Sequence, residues 1–263
     1  MKREEVAAFW EANAEAWTQL SREGYDIYRD ALNTPAFLAM LPPVEGLAGL
    51  DVGCGEGSNT RKVAEYGALM QAVDISPTFI RHAQEVEARE PLGIVYQMAD
   101  AHELPFEDAR FDFVTAFMSL MDMPHQDSVL REIARVLKPG GFLQFSILHP
   151  CFVPPYRKTL RDAEGRVTGA TIAGYFDDSQ GQVERWIFSA APKERQEAFA
   201  PFVIPRFHRT LSWWVDAIVG AGLTITKFGE PSASEELAQA FPTVADTRVV
   251  GIFLHVQAVN ARV

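Results

Sequence analysis

The chain of 263 residues carries 24 Lys and Arg against 35 Asp and Glu, a formal net charge of −11 at pH 7, with 48% hydrophobic and 22% charged residues. That length buries a large core and fits one α/β domain of the larger kind, or one domain with an insertion. The acidity argues against a sequence-independent grip on nucleic acid or anionic lipid, and two isolated cysteines, Cys54 and Cys151, offer neither a disulfide framework nor paired metal ligands.

The first residues, Met1-Lys2-Arg3-Glu4-Glu5, do not read as a signal peptide, and no apolar run is long enough to span a bilayer. The expectation is a cytoplasmic monomer or homodimer that meets a small molecule, with no nucleic acid, membrane or metal partner. Val6, Phe9, Trp10, Ala14 and Trp17 recur at helical spacing between Glu4 and Leu20, and a second amphipathic stretch covers 35–41. Pro42-Pro43 ends that region, because proline cannot continue a helix. Strands then read at 47–53, 69–75, 94–99, 111–117 and 141–148, with helices at 57–66, 77–89 and 126–137 between them. Lys138-Pro139-Gly140-Gly141 reads as a helix stop and a turn. Such alternation predicts an α/β fold, a doubly wound parallel sheet with crossover helices. After His149 the pattern breaks for about fifty-five residues, with only short extended fragments such as Val183 to Phe188; loops of that length are usually lids or binding elements. Thr210 reads as the N-cap of a helix through Ala221 that Gly222 stops, and strands follow at 223–228 and 249–258.

The densest signal is Leu50-Asp51-Val52-Gly53-Cys54-Gly55-Glu56-Gly57, glycines alternating directly after an apolar run and before a helical pattern. Residues that tolerate positive φ and lack Cβ let the chain turn sharply and let a ligand lie against the backbone. Dinucleotide sites read G-x-G-x-x-G; here the third glycine comes one residue early and Ser58 holds its place, which points to a nucleoside without phosphates. A plain strand-to-helix turn explains the glycines alone equally well. Asp74 ends the second strand, where a carboxylate accepts from ribose hydroxyls, although it also suits the cap of the next helix. Asp100 ends the third strand, where it can accept from an adenine amine, or serve as a turn residue. Three such strand ends on one sheet edge together favour a nucleoside site.

These segments resemble class I S-adenosylmethionine-dependent methyltransferases of the type 11 group, similar to the ubiquinone and menaquinone biosynthetic enzymes. Leu50 to Gly57 matches the family's glycine motif, Val73-Asp74-Ile75-Ser76 its ribose motif, and Ala99-Asp100-Ala101 with Leu104-Pro105-Phe106 its adenine motif. Phe111-Asp112-Phe113-Val114 and Arg135 to Gly141 match its fourth strand and the approach to its fifth. The resemblance implies a Rossmann-like seven-stranded sheet, mostly parallel with an antiparallel last strand, preceded by N-terminal helices and carrying an insertion lid after strand 5. It divides a single domain into a helical lid at 1–44, a core at 45–150 and 206–263, and a substrate cap at 151–205. S-adenosylmethionine is the implied cofactor. Asp51, Gly53, Cys54, Gly55 and Gly57 are the implied glycine-motif contacts, around its methionine and ribose portions. Asp74 and Ile75 would hold the ribose, Asp100 and Ala101 the adenine, Phe117 would flank the sulfonium, and Tyr28 and Arg29 would reach the methionine end. The stretch Phe117 to Pro124 departs from relatives that have a histidine-rich segment there.

Methyl transfer from a sulfonium is an in-line displacement, so the site must align nucleophile and methyl carbon and exclude water; a base is needed only for some nucleophiles. His149, at the end of the fifth strand on the ligand edge, is the candidate base or orienting group, against the alternative of a histidine that satisfies backbone. Tyr175, Arg206, His208 and Trp213 are candidate acceptor contacts, and the basic cluster among them suggests an anionic group on an acceptor methylated at oxygen or nitrogen. Competing readings are a sensor, scaffold or non-methylating enzyme that keeps the cofactor, and a nicotinamide oxidoreductase, which the glycine spacing disfavours.

Overall fold

The computed structural model describes residues 1–261. Apolar, β-branched and aromatic segments form β1 (Ala48–Val52), β2 (Leu69–Asp74), β3 (Val95–Met98), β4 (Phe111–Phe117) and β5 (Leu137–Leu148). Two further strands, β10 (Leu223–Gly229) and β11 (Phe253–Asn260), complete one sheet in the order β10-β11-β5-β4-β1-β2-β3. β1 pairs in parallel with both β2 and β4, β2 with β3, and β4 with β5; β11 alone runs against its neighbours β5 and β10. The chain winds outward from β1 in both directions, so the crevice between β1 and β4 is a topological switch point, where open α/β sheets bind ligands. Phe111, Phe113, Phe145 and Leu50 are wholly buried in the sheet.

The helices of the core are α3 (Ser58–Ala64), α4 (Pro77–Arg89), α5 (Gln126–Val136) and α7 (Leu211–Gly220). α4 starts where Ser76 Oγ accepts from the Phe79 N–H, and α7 where Thr210 Oγ1 accepts from the Trp213 N–H, as Thr210's position predicts. Before the sheet come α1 (Arg3–Arg22) and α2 (Thr34–Met40), joined through a π-helical stretch, Tyr28–Asn33, that the sequence pattern does not announce.

Three expectations are corrected. β5 begins at Leu137 and pairs with β4 there and again from Phe142; Lys138 to Gly141 bulges out of register between them, with Gly140 at φ +76°, so the turn read there lies inside the strand. The last strand begins at Phe253, because Pro242–Arg248 winds into a 3-10 helix first. The segment after His149 is two hairpins, β6 (Tyr156–Arg161) with β7 (Val167–Ala173) and β8 (Gln182–Trp186) with β9 (Phe202–Arg206). α6 (Lys193–Glu197) lies within the second hairpin, and α8 (Glu235–Ala240) follows β10.

α1 docks on β9 through a side-chain amide that imitates a strand: Asn13 Nδ2 donates to the Val203 carbonyl at 2.9 Å and its Oδ1 accepts from the Val203 N–H at 3.1 Å. Trp17 packs edge-on against Trp186 and Phe188 beside them. No helix of the described residues is long and apolar enough to cross a membrane.

Candidate active site

The turn after β1 holds Gly53, Gly55 and Gly57 at φ +73°, +56° and +86°, a region that side-chain-bearing residues avoid. The three glycines are needed for different reasons. A Cβ on Gly53 would lie 2.5 Å from Ser119 Cβ, and one on Gly57 2.7 Å from the Tyr96 hydroxyl, whereas one on Gly55 meets nothing within 4 Å. Gly53 and Gly57 therefore admit close packing, and Gly55 turns a bare backbone toward open space. That space is a cavity of about 520 Å³ over the carboxyl ends of the strands.

Asp51, Gly53, Cys54, Gly55, Asp74, Ile75, Asp100, Ala101, Phe117 and Tyr28 all border this cavity; Gly57 does not, and serves as the left-handed residue that starts α3. Asp74 accepts from the N–H groups of Gly55 at 2.8 Å and Ser76 at 2.9 Å, which fixes its carboxylate and leaves lone pairs for a ligand's hydroxyls. Burial pushes its carboxyl up to about 6, against the pull of those N–H groups. Asp51 rises to about 6 for the same reason while accepting from Thr60 and Thr115, so its part is to bind β1 to α3 and β4. Asp100 is half-screened: burial raises it, but the His102 ring at 2.6 Å and Arg3 at 3.0 Å win and hold it below its ordinary value. Arg3 belongs to α1, which therefore reaches the β3 end of the cavity.

At the other end Tyr28 donates to Asp246 at 2.7 Å, and burial and that carboxylate raise its hydroxyl pKa. Arg29 does not stand free for a ligand carboxylate: it pairs with Asp30 at 2.8 Å and Glu56 at 3.2 Å.

Among the acceptor-side candidates only Arg206 borders the cavity, and it pairs with Glu184 at 2.7 Å. His208 instead donates to the Tyr175 carbonyl at 2.9 Å, the Tyr175 hydroxyl accepts from the Leu211 N–H, and Trp213 lies under Arg209. Burial pulls the His208 pKa down. The structure does not bring these three into the cavity, because they knit the hairpins to the start of α7.

His149 likewise lies outside it. The ring is buried, its Nδ1 accepts from the Cys151 N–H at 3.1 Å and its Nε2 donates to Glu230 at 2.8 Å. With its lone pair spent on backbone, it has none left for a substrate proton, so the geometry corrects its reading as a base. Residues that the motifs do not flag border the cavity instead: Asn33, Asp122, Arg157, Glu184 and Asp246. Asp122 alone carries a signal, standing in the stretch that departs from the histidine-rich pattern.

Residues 50–145 match the family described as a methyltransferase domain. An O-methyltransferase of Penicillium expansum is 41% identical over 117 residues, 42% of each chain. The ubiquinone biosynthesis O-methyltransferase of Coxiella burnetii is 35% identical over 115 residues, 44% of this chain and 49% of that one. The chain thus spans less than half the length of the curated relatives it matches. Across 86% of this chain and 96% of the other, a crystal structure of an S-adenosylmethionine-dependent methyltransferase from Mesorhizobium loti superposes with a TM-score of 0.69 at 29% identity. Fold, motifs and relatives together are similar to those of the S-adenosylmethionine-dependent methyltransferase class. The cofactor of that class fits the residues present. Gly55 offers the bare backbone for close approach, Asp74 would take the ribose hydroxyls, and Asp100 with Ala101 the adenine edge.

Proposed function

We propose that this protein transfers a methyl group from S-adenosylmethionine to an oxygen or nitrogen of a small-molecule acceptor, which can carry an anionic group. The observation that carries this reading is the continuity of the cavity. The same cavity is bordered by the polar strand ends Asp74 and Asp100 and by the aromatic side chains of Trp10, Trp186, Phe188 and Phe253. Aromatic walls with a few charged groups suit a small organic acceptor and keep water from the sulfonium. Residues 1–44 and 151–205 act as the cover, and the reaction belongs in the reducing cytoplasm, in a monomer or homodimer. Methyl transfer itself asks little of the protein beyond alignment: the acceptor's lone pair must face the methyl carbon opposite sulfur. The test is calorimetric binding of S-adenosylhomocysteine followed by labelled methyl transfer to a panel of phenols, alcohols and amines. Affinity in about the micromolar range and label on oxygen or nitrogen are expected; no binding, or binding with no label transferred across the panel, refutes it.

A further inference from the structure

The turn Ser119 to Met123 packs on the glycine turn: Ser119 Oγ donates to the Val52 carbonyl at 2.7 Å, and a Cβ on Gly53 would touch both Ser119 and Met123. This turn follows β4, next to β1 on the side away from β2 and β3. A ligand whose adenosine lies over β2 and β3 therefore extends its remaining part toward it. Asp122 in this turn is 7% exposed, and its side chain borders the cavity. Its carboxylate has no hydrogen bond or ion pair with any described residue, an arrangement that buried carboxylates rarely keep without a role. The two charged groups whose fields reach it are Arg206 from β9 and Glu184 from β8, and Arg206 spends its own bonds on Glu184 and the Val153 carbonyl. With both carboxylates ionised, two negative charges against one guanidinium leave this corner with one net negative charge, the complement of a single cation.

Resting on the methyltransferase reading, we propose that Asp122 receives the proton that the acceptor's attacking O–H or N–H gives up, so the acceptor is a proton-bearing hydroxyl or amine and not a carboxylate. The balance is simple. The acceptor's O–H or N–H bond breaks as its lone pair bonds the methyl carbon, Asp122 takes the proton, and the carbon–sulfur pair stays on sulfur as the neutral thioether. One cation and one anion enter, and two neutral groups leave. Burial lifts the Asp122 carboxyl well above the usual carboxylate range, with Arg206 pulling the other way. The positive sulfonium beside it favours the anion, so cofactor binding shifts Asp122 towards the form that takes the proton.

The experiment compares calorimetric binding of S-adenosylmethionine and S-adenosylhomocysteine, which differ in the sulfonium charge, in buffers of different ionisation enthalpy between about pH 6 and about pH 8. The wild type should release up to about one proton more with the sulfonium ligand, and Asp122→Asn should keep its affinity for the thioether within about twofold and lose that difference. Equal proton release for the two ligands in the wild type overturns the proposal, as does a difference that persists in the variant, which would assign it to Asp26, Asp51 or Asp74. Failure of both ligands to bind overturns the methyltransferase reading instead. Should Asp122→Asn not fold, Glu184→Gln serves: loss of a charge that raises the Asp122 carboxyl moves the pH window of release downward, and an unmoved window overturns the assignment.

Discussion

Adding one methyl group at Gly53 or at Gly55 separates packing from ligand approach. Both residues have left-handed φ, so Ala at either costs about 1–2 kcal/mol in backbone strain. At Gly53 the new Cβ also collides with Ser119 Cβ at 2.5 Å, and overpacking of that kind adds about 1–3 kcal/mol. Gly55→Ala meets no neighbour within 4 Å and carries the strain alone. For a chain of this size about 2–4 °C of melting temperature goes with each kcal/mol, so Gly53→Ala should melt roughly 10 °C low and Gly55→Ala roughly 4 °C low. The order reverses in a binding assay, because the Gly55 methyl enters the space the cofactor needs. Differential scanning calorimetry of the two variants, paired with titration of S-adenosylhomocysteine, reads both quantities. Equal melting losses, or wild-type affinity in Gly55→Ala, would refute the assignment of the glycines.

Asp51 gives a pH signature. Its folded carboxyl titrates at about 6 against 3.8 when free, so the folded state holds the extra proton between those values. Stability then falls as pH rises through that window, by about 3 kcal/mol when complete, relative to an Asp51→Asn variant. Urea unfolding of both proteins at about pH 4.5 and about pH 7 checks the sign, and a difference that is flat or grows with pH contradicts it. His149→Ala should cost about 1–3 kcal/mol by orphaning the Cys151 N–H while leaving S-adenosylhomocysteine affinity unchanged. A loss of affinity without a loss of stability would return His149 to the site.

Local pattern carried the sheet and the cofactor half of the cavity. β1, β2 and β4 lie within a residue of their apolar runs, and Asp74 and Asp100 stand where strand ends and turn chemistry put them. The hairpins after β5 were illegible because they expose many of their side chains and draw their order from pairing with each other and with α1, which leaves no clean period. The acceptor half failed for a related reason. Arg206, His208 and Tyr175 look alike in sequence as polar or aromatic residues of an insertion, and only tertiary contacts decide that Arg206 faces the cavity while the other two hold carbonyls and N–H groups. His149 had the right strand end but the wrong direction, set by Cys151 two residues later. Asp122 stands in the stretch Phe117 to Pro124, where the departure from the histidine-rich pattern marks a difference and names no residue.

The reciprocal bonds between Asn13 and Val203 join residues 190 positions apart. A ribosome makes α1, with Trp10 and Trp17 on it, and must add every residue between Arg22 and Phe202 before β9 exists to receive them. β1 to β5 can pair as they emerge, since β2, β3 and β5 each follow a crossover helix and β4 follows β3 through a loop. The cavity above them therefore closes only after the sheet's first five strands are made, when α1 is fastened to β9.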